Sequence, residues 1–380
     1  LAQHILQACV FLLPNRMLKG FFATLNFIAV VLMFFSAAAV YINPNSVWQF
    51  SFAGFLFMPL MIANAAFVAL WLLARKWLAL LPMLALLLCY KPVLRSFGFN
   101  FKKQQEKGVK VLVWNVRNFD LYNWSKNLET RAEVMDLIRD ENADILCLQE
   151  FYTDSGTLMN NIKYLVDTLG YTYWHFEPTV EVNRWHHRKK IEQKWGEATF
   201  SKFPIVNRSR VDFTNSRSND CIYTDVLVNG DTLRVYNMHL QSIHLDGHDY
   251  SALQQMEQQQ EPNWKNIRKI ARKMKNGSRS RASQAEQVAR SIRKFKGKQI
   301  VCGDFNDVPV SYTYNKLANA NNMQDAFVAK GFGFGKTFIN PYLYLRIDNV
   351  LASQEIRINS WRTNPKVLSD HYAVSVSFDL

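Results

Sequence analysis

The sequence predicts an α/β domain, a sheet core clad in helices, behind an N-terminal block of apolar helices. Three observations predict it. The first hundred residues contain no Asp or Glu and hold long uncharged apolar runs. From Val109 onward, short apolar or alternating segments end in an amide, an acid or a histidine, with amphipathic segments between them. Two of these ends, Gly303-Asp304-Phe305-Asn306-Asp307 and Ser369-Asp370-His371, gather acids and amides where a strand should give way to a loop. Carboxylates held at strand ends, facing a cleft, are where a divalent cation is gripped, and a histidine beside them titrates near neutrality. The combination points to metal-assisted attack on a phosphate ester.

Phe21–Ile42 and Val47–Leu73 are uncharged, and each exceeds the roughly 20 residues that cross a bilayer. Trp77–Tyr90 has fourteen residues, which fits a tilted span, a re-entrant segment or an interfacial helix. Val93, Leu94 and Phe97 would extend it, with Lys91 snorkelling to the interface, so three spans are expected. Residues 1–95 are expected to form a transmembrane region and residues 96–108 a polar, basic linker. The chain begins at Leu1, so further N-terminal sequence is expected before it. Arg16 and Lys19 precede the first run, Arg75-Lys76 follow the second, and the Asn43–Ser46 loop between them is uncharged. The excess of Lys and Arg on cytoplasmic loops then places the N-terminus inside and that loop outside. With a third span, the catalytic domain lies outside too. In a bacterium this is an integral inner-membrane protein whose catalytic domain faces the periplasm. Lys91, Arg95, Lys102 and Lys103 oppose this orientation.

Beyond the linker, Val109–Asn115 reads as a strand ending in an amide, Ala143–Glu150 as one ending in a carboxylate, and Leu233–His239 as one ending in a histidine. Gln299–Cys302 is a short buried strand before Asp304. Arg346–Ser353 carries Asp348 near its start, and Ala373–Phe378 alternates strictly. Asn127–Asn142 reads as a helix on the spacing of Ala132, Met135, Ile138 and Arg139, and Ser155–Leu169 and Ser283–Phe295 read as two more. Residues 243–280 read as a basic insertion. After the polar Gln254–Gln260 stretch, Trp264, Ile267, Ala271 and Met274 recur at helical spacing, with Lys and Arg on the other face. Such a helix docks its apolar stripe on the domain, lies on an anionic membrane or meets nucleic acid, and composition leaves the three open.

The net charge of +14 is unevenly placed. Residues 1–107 hold nine Lys/Arg against one acid, and residues 261–298 hold thirteen against two. The remainder is mildly acidic, which argues against a domain built to coat itself with nucleic acid. The five cysteines show no CxxC pair and no zinc spacing. Cys147 and Cys302, inside expected strands, read as small buried apolar residues. No phosphate-binding or dinucleotide glycine motif follows a strand, so nucleotide-cofactor chemistry is not indicated.

Within the expected cleft, Glu150 directly ends an apolar strand and is the first candidate metal ligand. Asn115 and Asp370 would complete its shell, directly or through water. Mg²⁺ takes one or two carboxylates and keeps several waters, and Mn²⁺ suits the same oxygen set. Asp304 and Asn306, two apart on an extended chain, point the same way and can both face a phosphorus atom. Asp307 alternates to the other side and reads as a turn former before Pro309.

These six blocks, in this order, resemble the endonuclease/exonuclease/phosphatase superfamily, which includes DNase I-like nucleases, AP endonucleases, inositol-polyphosphate 5-phosphatases and neutral sphingomyelinases. The resemblance covers about residues 109–380. It implies a four-layer α/β sandwich with two largely antiparallel sheets. It implies that Asp304 positions or deprotonates the attacking water and that Asn306 holds the nucleophile or a phosphate oxygen. It also implies an imidazole–carboxylate pair of His371 and Asp348, and a leaving-group role for His239. The expected function is therefore a membrane-anchored, Mg²⁺-dependent phosphohydrolase, a nuclease-like phosphodiesterase before all. The alternatives are a phospholipid or headgroup phosphodiesterase or phosphatase at the membrane surface, and a catalytically inactive membrane module. The expected partners are the membrane and a nucleic-acid or phospholipid substrate, with no obligate protein partner.

Overall fold

The computed structural model describes residues 16–156, 158–186, 189–213, 219–243, 264–340 and 344–380. The Gln254–Gln260 stretch lies outside them. The first apolar run forms one helix, α1 (Arg16–Ala37), prolonged by a short turn to Val40. Among the described residues it is the one unbroken helix long and apolar enough to cross a membrane.

The second run is broken into α2 (Phe50–Phe55) and α3 (Phe57–Leu73). A proline ring clashes with the carbonyl four residues earlier, and Pro59 sits four residues after Phe55. The same rule bends the third expected span within its length. α4 (Leu80–Leu88) stops at Cys89, and α5 (Tyr90–Ser96) leaves at 76° to the helical segment before it. Pro92 sits four residues after Leu88, so Val93 and Leu94 belong to a turned helix and do not lengthen α4.

Polar groups fix the register of this apolar bundle. Trp71 donates its indole N–H to Asn26 (3.0 Å), and the Asn64 amide donates to Ala29 O (3.2 Å). The Ser36 hydroxyl donates to Ala53 O (2.5 Å). Asn26, Ala29 and Ser36 climb α1 while Trp71, Asn64 and Ala53 descend, so the two arms are antiparallel. Buried amides pair in such surroundings because nothing else can satisfy them.

Among the described residues the rest of the chain supplies fourteen strands. The first seven are β1 (Gly98–Phe99), β2 (Val109–Asn115), β3 (Ile145–Asp154), β4 (Tyr173–His186), β5 (Lys189–Ser201), β6 (Ile205–Arg210) and β7 (Asp220–Val228). The others are β8 (Asp231–His239), β9 (Lys298–Asp304), β10 (Gln324–Asp325), β11 (Phe332–Gly333), β12 (Asp348–Ala352), β13 (Arg357–Thr363) and β14 (Val374–Asp379). One six-stranded sheet runs β13-β14-β2-β3-β5-β4 and the other β10-β12-β9-β8-β7-β6. Within the two sheets, β2–β3 and β8–β9 are parallel and the other pairs antiparallel.

The sheets face each other across one apolar layer, with Val111, Val113 and Cys147 from the first meeting Val235, Ile300 and Cys302 from the second. Helices cover both outer faces. On the first sheet lie α6 (Thr130–Glu141) and α7 (Asn161–Asp167), through Val134, Ile138 and Leu165. On the second lie α8 (Trp264–Lys294) and α9 (Tyr312–Ala318), through Val288, Ile292 and Leu317. A short α10 (Ala326–Lys330) follows β10. The result is the four-layer sandwich that the resemblance implied.

Three elements differ from the sequence reading. The buried stripe of α6 is Val134, Met135, Leu137 and Ile138, and Arg139 is exposed. α7 starts only at Asn161, because β3 runs on to Asp154; Asn160 caps the helix by accepting the Lys163 N–H (3.1 Å). The basic segment and the helix expected after it are one 31-residue helix, α8.

The linker lies along the domain. β1 pairs with β11, and Gln104 bonds both Lys330 O and the Trp361 N–H. The loop between α1 and α2 also docks there. Asn43 donates to Glu286 (3.0 Å) and to the Tyr312 hydroxyl (3.2 Å), and Asn315 donates to Val40 O (3.0 Å). Gly54 lies so close to Val310 that a β-carbon would stand 2.1 Å from the Val310 carbonyl oxygen.

Candidate active site

Register brings the candidate residues to one end of the sandwich. In the second sheet, Asp304 pairs with His239 on one side and Asp348 on the other. In the first, Asn115 pairs with Gln149, one residue before Glu150. Beneath them Gln149 donates to Asn237 (2.6 Å), and Asn237 donates to Ala198 O (2.9 Å). These buried amides stitch the two sheets together directly under the site.

Glu150 sits in a bulge, where β3 leaves register with β5 after Leu148 and regains it at Phe151. Its φ is 48°. A non-glycine residue in the left-handed region is strained, and a bulge re-aims its side chain; both gather at functional sites. Here the Glu150 carboxylate accepts from Asn115 (3.2 Å) and lies 3.8 Å from His239 Nε2.

Asp304 is the centre of the arrangement. Its Oδ1 accepts the Asn306 N–H (2.8 Å), and its Oδ2 accepts from the side-chain amides of Asn306 (3.2 Å) and Asn115 (3.3 Å). Two imidazoles flank it, His371 Nε2 at 3.7 Å and His239 Nε2 at 3.8 Å. Each is held from behind by its own acid. His371 Nδ1 bonds Asp348 (2.9 Å), and His239 Nδ1 faces Glu197 (3.6 Å). Asp348 is steadied in turn by its N–H donating to the Thr337 hydroxyl (3.1 Å).

Burial alone would keep both imidazoles neutral. The carboxylates Asp348 and Asp304 raise His371 to about 10, and Glu197, Asp304 and Glu150 raise His239 to about 10. Burial raises Asp304 to about 6, against the pull of the two imidazoles, and burial also pushes Glu197 upward.

Asp370 stands at the rim, about one-third exposed, with its carboxylate 3.4 Å from Arg117 Nε. Arg117 also lies over the Trp124 ring at 4.5 Å. It opens a run of left-handed residues, Arg117 to Asp120. Asn115 turns its NH₂ toward both Glu150 and Asp304, while its oxygen accepts the Arg117 N–H (3.1 Å).

The donor set suits a hard divalent cation, because Glu150, Glu197, Asp304, Asp348 and Asp370 outnumber His239, His371 and Arg117. One Glu197 oxygen is buried without a hydrogen-bond partner. Among the described residues one grouping could hold an ion. Asp304, Asp348 and His371 present one atom each within 4.8 Å of one another. In that trio Asp348 and His371 already engage each other, and an ion between them would break their bond. Glu150, about one-third exposed, is the more open carboxylate.

The structure thus brings together Asn115, Glu150, His239, Asp304, Asn306, Asp348 and His371, and leaves Asp370 at the edge with Arg117. Sequence reasoning missed Glu197, Arg117, Thr337 and the Gln149–Asn237 stitch. Glu197 carries a signal in hindsight, an acid inside a segment whose neighbours Ala198 and Phe200 are fully buried.

A model of the endonuclease/exonuclease/phosphatase family matches residues 112–371. The chain belongs to this family. It is an enzyme of the phosphoester-hydrolysing class, which sets aside the inactive-module alternative. A second model, of a domain of unknown function, matches residues 19–96. No curated protein matches the chain.

Solved structures share the fold at low identity. The endonuclease/exonuclease/phosphatase from Beutenbergia cavernae is 17% identical, with TM-score 0.50 over 72% of this chain and 71% of that one. The human Nocturnin catalytic domain is 18% identical, with TM-score 0.48 over 73% and 96%. A mannosyl-6-phosphatase from Bacteroides thetaiotaomicron is 15% identical, with TM-score 0.48 over 72% and 100%.

Proposed function

We propose that the chain is a membrane-anchored hydrolase of phosphodiesters that works with Mg²⁺, or with Mn²⁺ in its place. The observation that carries this reading is Asp304, flanked by two imidazoles that are each braced by an acid, with Glu150 aimed at the same point by a strained bulge. Glu150 is the first ligand, Asn115 holds it, and Asp370 completes the shell from the rim. The bound cation would polarise the phosphoryl oxygens and offset the charge that builds on them.

Asp304, raised to about 6, is poised as a base near neutrality and takes the proton of the attacking water. Asn306 and Asn115 keep that carboxylate oriented. As water oxygen bonds to phosphorus, the ester P–O bond opposite it breaks. His239, charged and braced by Glu197, gives its proton to the leaving oxygen. His371, charged and braced by Asp348, donates to a phosphoryl oxygen.

We place residues 1–95 in the membrane, residues 96–108 as the linker and residues 109–380 as the catalytic part. The loop between α1 and α2 bonds to the catalytic part, so both lie on one side of the bilayer; the antiparallel arms carry Arg16, Lys19, Arg75 and Lys76 to the other, and the bent pair α4–α5 brings the chain back. The positive-inside rule makes that other side the cytoplasm, hence a periplasmic site in a bacterial inner membrane. A reporter that works only in the periplasm, fused after Leu380, should be active; activity of a cytoplasmic reporter there instead overturns the placement.

Two substrates fit the chemistry, nucleic acid and lipid headgroup. Docking of the catalytic part on the apolar bundle favours the second reading, because it holds the site beside lipid. The full chain in nanodiscs, assayed with Mg²⁺ against plasmid DNA and phospholipid vesicles, separates the two. Glu150→Gln should lower the rate on the order of 100-fold and raise the Mg²⁺ requirement. Undiminished turnover of that variant in EDTA refutes the metal assignment.

A further inference from the structure

We infer that the first half of α8 is a binding surface for anionic phospholipid headgroups. Between Trp264 and Arg279 the helix carries Lys265, Arg268, Lys269, Arg272, Lys273, Lys275 and Arg279 and no acid. Trp264 is 67% exposed. Arg268, Lys269 and Arg272 are exposed as well. From Gly277 on, the helix sinks into the domain, where Arg281, Ala285, Val288 and Ile292 are buried. Before Gly277 the helix reaches the domain through Ile270, while Arg268 and Arg272 stay on its exposed side.

Its position names the ligand. Arg279 donates to Pro44 O (3.3 Å) and Asn45 O (3.4 Å), and the Lys275 ammonium lies 5.9 Å from the centre of the Trp48 ring. Pro44, Asn45 and Trp48 belong to the loop joining α1 to α2, where the apolar arms end. Tyr41 and Val47 on the same loop are exposed. Aromatic rings at the end of apolar helices sit at headgroup depth, and a neighbouring basic helix with an exposed Trp has the composition of an interfacial segment. Acidic phospholipid is the anion that such a place meets. Nucleic acid would meet the same charges only by approaching along the bilayer.

The inference rests on the membrane reading given above and not on the hydrolase reading. The test uses the full chain in nanodiscs of phosphatidylcholine alone, or of phosphatidylcholine with phosphatidylglycerol, and follows amide hydrogen exchange of residues 264–279. Phosphatidylglycerol should slow exchange there severalfold, leave β9 unchanged, and lose its effect at high salt. The variant R268Q/K269Q/R272Q/K273Q should lose the slowing, and R268K/K269R/R272K/K273R should keep it.

Equal exchange in both lipids overturns the inference, as does slowing by a DNA duplex without slowing by phosphatidylglycerol. Release of the chain from membranes by carbonate would instead defeat the membrane reading itself. Loss of hydrolysis in Glu150→Gln is independent of either result.

Discussion

At the scale of single residues, the site is two imidazole–carboxylate pairs sharing one acid. The roles proposed above for Asp304 and His371 set a pH profile with two limbs. Asp304 must be ionised to accept a proton, so the rate should rise as pH passes its value of about 6. His371 must be charged to donate, so the rate should fall as pH approaches about 10. A bound cation lowers both limbs, because it favours the deprotonated form of every neighbour. Asp348→Asn removes the charge that holds His371 up, so the alkaline limb should move to lower pH and the rate drop about 10²- to 10⁴-fold. Adding His371→Ala to Asp348→Asn should cost little more, since the two act as one unit. Full additivity in that double variant would show that they do not.

The residues that close apolar runs were legible in the sequence, because a run stopping at Glu150, Asp304 or His239 is a local pattern, although β3 itself continues past Glu150 to Asp154. The partners behind them were not. Glu197 lies on β5, and what it faces is decided by how one sheet packs on the other. Period-two alternation says which side of its own sheet a residue occupies and nothing about the residue opposite. Asp307 shows the same limit. Its neighbour Pro309 suggested a turn, and the Asp307 carboxylate does accept the Val308 N–H (3.0 Å), yet it is also buried against a cation from a distant helix.

That cation is Arg281, and it belongs to the scale of elements. Arg281 is 1% exposed. Its Nε bonds Asp307 (3.3 Å) and its NH1 donates to Gln241 O (2.8 Å). One side chain of α8 thus ties the loop after His239 to the loop after Asn306. Arg281→Met leaves the buried Asp307 carboxylate without its counter-charge and should destabilise the fold by about 3–5 kcal/mol in urea titration. Arg281→Met with Asp307→Leu should recover much of that stability but not the activity, because the tie between the two loops is gone.

Glu141 closes α6 onto the first sheet in the same manner. Burial would raise its carboxyl, but hydrogen bonds from Asn364, Lys110, Ser375 and Arg362 bring it to about 2. A carboxyl lowered on folding adds stability above its ordinary value near 4.5 and loses it as pH falls toward 2. Glu141→Gln should therefore lower stability at pH 7 by on the order of 2–3 kcal/mol and flatten the loss between pH 5 and pH 2. An unchanged acid-unfolding curve would mean that Glu141 is idle. None of these ties is visible in the helix pattern of α6 or α8. The breaks at Pro59 and Pro92 are, since each follows from the ring of one residue and the carbonyl four positions earlier.

At the scale of the whole molecule, the apolar helices and the sandwich meet over a defined surface. Gly54 is a point of close backbone approach on it, and Val310 opposite is four residues beyond Asn306. Gly54→Leu cannot be accommodated there, with backbone and not a flexible side chain in the way. It should part the bundle from the domain. Limited proteolysis of the linker 96–108 should quicken severalfold, while activity on a small soluble phosphodiester falls less than activity on a bilayer-borne one.

The docked loop has a mechanical meaning. A domain on a slack tether sweeps a hemisphere, and its encounters with targets are governed by the length of the tether. Here Asn43, Asn315 and the β1–β11 pairing leave no slack, so on the membrane placement proposed above the reactive centre is mounted at one altitude and one inclination over the lipid. Selection can then act by height. A phosphorus atom carried at that altitude arrives by lateral drift in two dimensions, and the same ester free in solution must find a stationary target.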